Sequence, residues 1–180
     1  MLSMGLRMSR PTFSSTVINL IAGPGAGKST LAAGLFAELK FRGIECELAT
    51  EYAKDLLWEG RLGRTHKYDI LMSQYHRLWR LRGKVKYIIT DSPLILPGIY
   101  NSTILPLAEQ LWREFSNINW FIQRVKPYSP IGRRENEESA RSVDQKILDY
   151  LDKRTDWSIQ QGTREGLYNM VANIMGREVN

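Results

Sequence analysis

Ala22-Gly23-Pro24-Gly25-Ala26-Gly27-Lys28-Ser29-Thr30 is the stretch of this chain whose residue types and spacing fit a defined chemistry. It matches G-x-x-x-x-G-K-[ST] at every fixed position but the first, where alanine stands for glycine. Glycines let consecutive backbone N–H groups converge on phosphate oxygens, and a helix opening directly after them adds its positive N-terminal end. The Lys28 ammonium supplies a point charge at the β- and γ-phosphates, and the Ser29 hydroxyl is placed to ligate Mg²⁺. Ala22 falls at a strand end, where φ is negative, so the missing glycine should cost no binding. The expected ligands are ATP and Mg²⁺, held by Gly23 through Thr30.

Phosphoryl transfer also needs a carboxylate near the metal and a base for the attacking hydroxyl. Asp91 closes the apolar run YIITD and is the candidate for the metal, with a turn or helix cap as the competing role. Glu51 lies just beyond a second strand, on the carboxyl edge where open α/β sheets bind ligands, and is the first candidate base. Asp55, four residues further along, competes with it, and Glu51 could equally serve as an acid favoured by a helix N-terminus. The stretch Lys126 to Glu138 is rich in Pro, Gly and charge and has no periodicity, which predicts a mobile surface loop. It and its flanks offer Arg124, Lys126, Arg133, Arg134 and Arg141. Guanidinium groups swung over ATP would neutralise charge on the transferring group and exclude water. A lid over about 126–141 is therefore expected, with Arg133 and Arg134 catalytic and Arg141 on the nucleotide. A solvated Arg/Glu loop is the alternative, and Lys126 and Tyr128 could instead face the adenine.

The elements that must position these groups are legible from periodicity. TVINLIA (16–22) is apolar throughout, as in a strand buried on both faces of a parallel sheet. A helix should follow over 28–41, ended by Arg42-Gly43. Further strands are predicted over 45–50, 87–91, 118–125 and 157–160. Helices are predicted over 51–58, 68–82, 105–115, from about 140 to 151, and 164–175, with a looser segment around Pro97, Gly98 and Pro106. In the 68–82 helix, Tyr68, Leu71, Met72, Tyr75, Leu78 and Trp79 recur at three- and four-residue intervals and are expected to face the core. Strands alternating with helices predict a three-layer α/β fold: a five-stranded parallel sheet with helices on both faces.

At 180 residues and 43% hydrophobic content the chain suits one domain, 16–180, behind a flexible start at 1–15. A single cysteine, Cys46, points to a reducing compartment, and no run approaches 18 apolar residues, so a soluble cytoplasmic protein is expected. The net charge of +6 is unevenly placed: Arg61 to Lys86 holds eight Lys or Arg against one acid, Asp69. A polyanion could bind there, or the segment is a solvated helix face. A guanine-reading N-K-x-D segment is absent, which argues against a GTP-binding switch.

Together, GPGAGKST, ATEYAKDL, YIITDSPL and RVKPYSPIGRRENEESARSVDQKI resemble the small P-loop kinases of phages, a group similar to nucleoside and nucleotide kinases and to the kinase part of nicotinamide riboside kinases. Within that group the chain is most similar to 5-hydroxymethyluridine DNA kinases. The resemblance implies a nucleotide-kinase-type fold in a phage-infected bacterial cytoplasm. It implies transfer of the γ-phosphoryl group of ATP to the hydroxymethyl group of a modified base in DNA. By the same likeness Gly23 to Thr30 serve ATP, Asp91 serves Mg²⁺, Arg133, Arg134 and Arg141 form the lid, and Glu51 or Asp55 faces the acceptor. Asp91-Ser92 stands where deoxynucleoside kinases have Asp-Arg, which counts against an ordinary nucleoside kinase. Kinases of a free nucleoside, a nucleotide or a polynucleotide end, and a nucleic-acid-stimulated ATPase, are the alternatives.

Overall fold

The computed structural model describes residues 14–125, 127–129, 131 and 136–179. Five strands form one wholly parallel sheet in the order β2-β3-β1-β4-β5. They are β1 (Thr16–Ile21), β2 (Cys46–Ala49), β3 (Tyr87–Thr90), β4 (Ser116–Gln123) and β5 (Trp157–Gln161). The chain threads them through α1 (Lys28–Phe41), α2 (Tyr52–Trp58), α3 (Lys67–Trp79), α4 (Ile95–Tyr100), α5 (Leu105–Trp112), α6 (Glu137–Leu151) and α7 (Arg164–Val179).

The central position of β1 explains its composition. Val17, Ile18, Leu20 and Ile21 are buried because strands flank β1 on both edges and helices cover both faces. Right-handed crossovers and the observed packing put α1 and α7 on one face and α4, α5 and α6 on the other. The one buried polar residue of β1, Asn19, sets the register. Its side-chain amide donates to Asn117 Oδ1 at 2.8 Å and to Asn119 Oδ1 at 3.0 Å, and Asn19 pairs directly with Asn119 on β4. Asn119 in turn donates to the Asp156 carbonyl at 3.0 Å, just before β5. An offset in pairing would strand these buried amides without partners, at a cost of about 1–3 kcal/mol each.

Because every strand runs the same way, all five carboxyl ends meet at one edge. That edge carries the turn after Ile21, Thr50-Glu51 after β2, Asp91 after β3, Arg124 after β4 and Gly162 after β5.

Two expectations fail locally. The segment around Pro97 and Gly98 is the helix α4, because Pro97 falls in its first turn, where backbone N–H groups lack helical partners anyway. In α3, Leu71, Gln74 and Leu78 are the buried residues, whereas Tyr68, Met72 and Trp79 are 40, 43 and 52% exposed. Gln74 explains the rotation. Its side-chain oxygen accepts from Tyr52 N–H at 2.9 Å and its nitrogen donates to the Thr50 carbonyl at 3.3 Å, which turns the 71-74-78 row inward. Of the expected flexible start, residues 1–13 lie outside the described residues. Ser15 is buried, its hydroxyl donating to the Val85 carbonyl and accepting from Gly83 N–H.

Candidate phosphate-binding site

The turn between β1 and α1 is shaped by glycines in two ways. Gly25 and Gly27 have φ of +80° and +100°, a region L side chains rarely adopt, and Gly27 stands at the N-cap of α1. Gly23 has no such φ, but a Cβ there would come within 2.6 Å of the Ala140 carbonyl oxygen and 2.7 Å of Asp144 Oδ1. Helix α6 therefore lies directly against the start of the loop. Ala22 is buried and its φ is not positive, so alanine fits the first position of the pattern without strain. On the far side, Gly162 closes the wall, since a Cβ on it would meet the Ala26 carbonyl at 2.6 Å.

The Lys28 ammonium reaches back along this loop, donating to the Ala22 carbonyl at 2.8 Å and the Gly23 carbonyl at 2.9 Å. Desolvation pushes Lys28 below its ordinary value. The carboxylates of Glu51, Asp91 and Asp144 act against that shift and the Arg124 guanidinium adds to it. Three strand ends and α6 thus bring charges to one ammonium.

Asp91 is 5% exposed, and its Oδ1 is buried without a hydrogen-bond partner among the described residues. A carboxylate oxygen left in that condition suits a cation or its bound water. No group of three or more His, Cys, Asp or Glu suited to a metal occurs among the described residues. Mg²⁺ does not need one: it keeps several waters and is held through one or two protein oxygens plus phosphate oxygens. Ser29, exposed in the first turn of α1, and Asp91 together fit that requirement.

Glu51 is the N-cap residue of α2, yet its side chain makes no capping bond there. Its influence on Lys28 puts its charge at the loop instead. Asp55 is engaged differently. It forms a close ion pair with Arg77, whose Nη1 also donates to the Thr50 carbonyl at 3.0 Å and the Thr50 hydroxyl at 2.9 Å. The Arg77 guanidinium lies 5.3 Å from the Tyr52 ring centre. Tyr52, Asp69, Met72, Ser73, His76 and Arg77 line an open cleft of about 440 Å³ that begins one residue beyond Glu51.

The arginines expected in the lid separate. Arg133 and Arg134 lie outside the described residues. Arg141 stands on α6, paired with Glu137 one turn back, with its side chain 65% exposed. Arg124 is not on a mobile segment. Its side chain is 5% exposed, and Nε and Nη2 donate to Asp144 Oδ2 at 3.0 and 2.9 Å. Asp144 Oδ1 accepts from Gly23 N–H at 2.6 Å. Sequence reasoning missed Asp144, Gln74 and Gly162 as site-shaping residues. Asp144 carried one available signal, a lone acid four residues past Ala140 on the face of α6 that packs inward.

The cationic segment is smaller than its count suggests. Arg61 pairs with Glu59, Arg77 with Asp55, Arg82 with Glu114 and Lys86 with Glu178, so half of its eight cations are balanced. Arg64, Arg80 and Lys84 have no acidic partner among the described residues; Arg80 and Lys84 line one cleft with exposed Trp79 at the end of α3, whereas Arg64 precedes that helix. No described helix is long and apolar enough to cross a membrane.

No protein-family model matches this chain, and no curated protein does. Among solved structures it is similar to the NadR protein crystallised in complex with NAD and AMP-PNP, with a TM-score of 0.66 at 14% sequence identity. The match covers 89% of this chain and 49% of that one, so the chain spans about half the length of this neighbour. Likeness at that identity establishes the architecture: an α/β fold of P-loop, nucleotide-kinase type.

Proposed function

We propose that this nucleotide-kinase-type domain is a phosphotransferase that moves the γ-phosphoryl group of ATP to a hydroxyl. The observation that carries the reading is convergence. Glu51 and Asp91, from two strand ends, both act electrostatically on Lys28 in a glycine loop whose conformation only glycine tolerates at positions 25 and 27. The NadR structure supports it, since that fold was captured with NAD and AMP-PNP together.

In this reading backbone amides of residues 23–30 and the Lys28 ammonium hold the phosphate chain and leave the γ-phosphorus facing the cleft beyond Glu51. Ser29 and Asp91 are the residues that would hold Mg²⁺, which would supply charge neutralisation to the phosphate oxygens. The acceptor oxygen forms a bond to the γ-phosphorus as the bond to the β–γ bridging oxygen breaks, and Glu51 takes the hydroxyl proton. Asp55 is the weaker candidate for that step, because Arg77 already holds its carboxylate. Arg133 and Arg134 are assigned to charge neutralisation over ATP, and Arg141 to the nucleotide side of the same segment.

The acceptor we assign is the hydroxymethyl group of 5-hydroxymethyluracil in DNA. Exposed Trp79 with Arg80 and Lys84 beside it, and exposed Tyr68 and Met72 further along α3, support it, as an aromatic ring next to cations suits a polynucleotide. A second reading, a free nucleoside or nucleotide, is favoured by the pairing of half the cationic segment and by the 440 Å³ cleft, ample for one nucleoside. Labelled ATP offered in parallel with DNA containing hydroxymethyluracil, unmodified DNA and free nucleosides separates them. Label confined to modified DNA supports the first assignment, and label confined to nucleosides replaces it with the second. Lys28→Ala should abolish transfer to any acceptor; wild-type turnover by that variant would overturn the assignment as a whole.

A further inference from the structure

The Arg124–Asp144 pair is the most deeply buried ion pair among the described residues, with side chains 5 and 16% exposed, and it belongs to neither the magnesium set nor the acceptor cleft. Buried pairs are seldom worth more than an apolar pair of the same size, so stability alone is a weak reason to hold one here. Its geometry suggests another. Asp144 is bivalent: Oδ1 takes the Gly23 amide at 2.6 Å, while Oδ2 takes the Nε and Nη2 fork of Arg124. Arg124 touches the loop as well, since a Cβ on Gly25 would lie 3.1 Å from its Nη1. The pair thereby hydrogen-bonds the glycine turn at Gly23 and lies against it at Gly25, where Nη1 has no hydrogen-bond partner among the described residues.

A carboxylate is a poor neighbour for a polyphosphate. An asparagine would accept the Gly23 N–H without adding negative charge, but it could not bind the arginine fork that fixes the direction of Oδ1. We propose that Arg124 is a charge-balancing positioning residue: it cancels Asp144, so that Asp144 can anchor the glycine turn to α6 without repelling the phosphates bound by that turn. This rests on the reading that the turn holds ATP.

The test is nucleotide binding by calorimetry on the full chain, with ATP and AMP as probes. Arg124→Gln leaves Asp144 uncompensated, so ATP affinity should fall at least about tenfold, or about 1.4 kcal/mol, while AMP with its smaller charge loses less than about threefold. Adding Asp144→Asn to Arg124→Gln removes the repulsion and should bring ATP back to within about threefold of wild type. A role confined to packing would weaken ATP and AMP alike, and the second substitution would add to the damage. Arg124→Lys keeps the charge but not the fork, so its ATP affinity should fall between wild type and Arg124→Gln, by less than about tenfold; with the double variant it carries the comparison if Arg124→Gln does not fold. Equal losses for ATP and AMP, or no rescue by Asp144→Asn, would overturn the proposal while leaving ATP binding intact. A wild-type protein that binds no ATP would instead remove the reading beneath it.

Discussion

Gln74→Met tests whether the α3 side chain that the periodicity misplaced in fact positions the base. Methionine nearly matches glutamine in length and volume, so the substitution deletes three hydrogen bonds, the longest at 3.5 Å to the Thr90 hydroxyl, and leaves little cavity. The Thr50 carbonyl keeps Arg77 as a donor at 3.0 Å, so it stays satisfied. Tyr52 N–H loses its 2.9 Å acceptor in the first turn of α2, where no helical carbonyl replaces it. One orphaned, partly buried donor costs about 1–3 kcal/mol, and for a domain of this size each kcal/mol lowers Tm by about 2–4 °C. A fall of about 4–8 °C is the central expectation. The same donor lies next to Glu51, so releasing it moves the proposed base, and a shift near 1 Å can cost up to about 10²-fold in turnover. Thermal melts, with and without ATP, and phosphoryl-transfer rates measure both. Because Gln74 does not touch the glycine loop, ATP affinity should stay within about threefold of wild type. A Gln74→Met protein that melts within about 2 °C of wild type and turns over normally would refute the claim that Gln74 orders the start of α2, since about 2 °C is the smallest shift that the cost above allows.

Glu51→Gln should lower turnover by about 10²–10⁴-fold with ATP affinity little changed, whereas Asp55→Asn, whose carboxylate is already held by Arg77, should lower it by less than about tenfold; steady-state rates that reverse this order would transfer the base role to Asp55. Lys28 makes ATP affinity depend on pH in a defined direction. Desolvation lowers its value in the free protein, and bound phosphates favour the charged form, so affinity is full below the free-state value and declines by up to about tenfold per pH unit above it. Calorimetry in buffers of different ionisation enthalpy should register proton uptake on the alkaline side, and binding without uptake there would contradict the assignment.

Much of this molecule was readable before any coordinates because its central demands are local. A phosphate turn needs glycine where φ is positive, and Gly25 and Gly27 occupy those positions. Helix α1 runs over the predicted span, Lys28 to Phe41, since Gly27 opens it and Gly43, at φ +74°, follows its end. What escaped the reading depends on partners distant in sequence. Nothing near Asp144 signals a bond to an amide 121 residues earlier. Nothing around Arg77, Arg82 or Lys86 shows that each meets an acid from another element. The α3 error has the same origin. Two neighbouring rows on that helix, 68-72-75-79 and 71-74-78, both satisfy helical periodicity, and a polar residue, Gln74, selects the one that faces inward.

The pairing of β1 with β4 also bears on how the protein comes into being on the ribosome. Asn19 must wait for Asn119, made 100 residues later, and the Gly23 amide for Asp144, made later still. A nascent chain therefore carries its glycine turn, while about 120 further residues are made, without the strand beside it or the helix behind it. At about 5–20 residues per second that interval lasts several seconds or more. During it the apolar strand 16–22 lacks its neighbours and is a natural client for a chaperone, and the glycine turn should reach its anchored form abruptly, once α6 has been made.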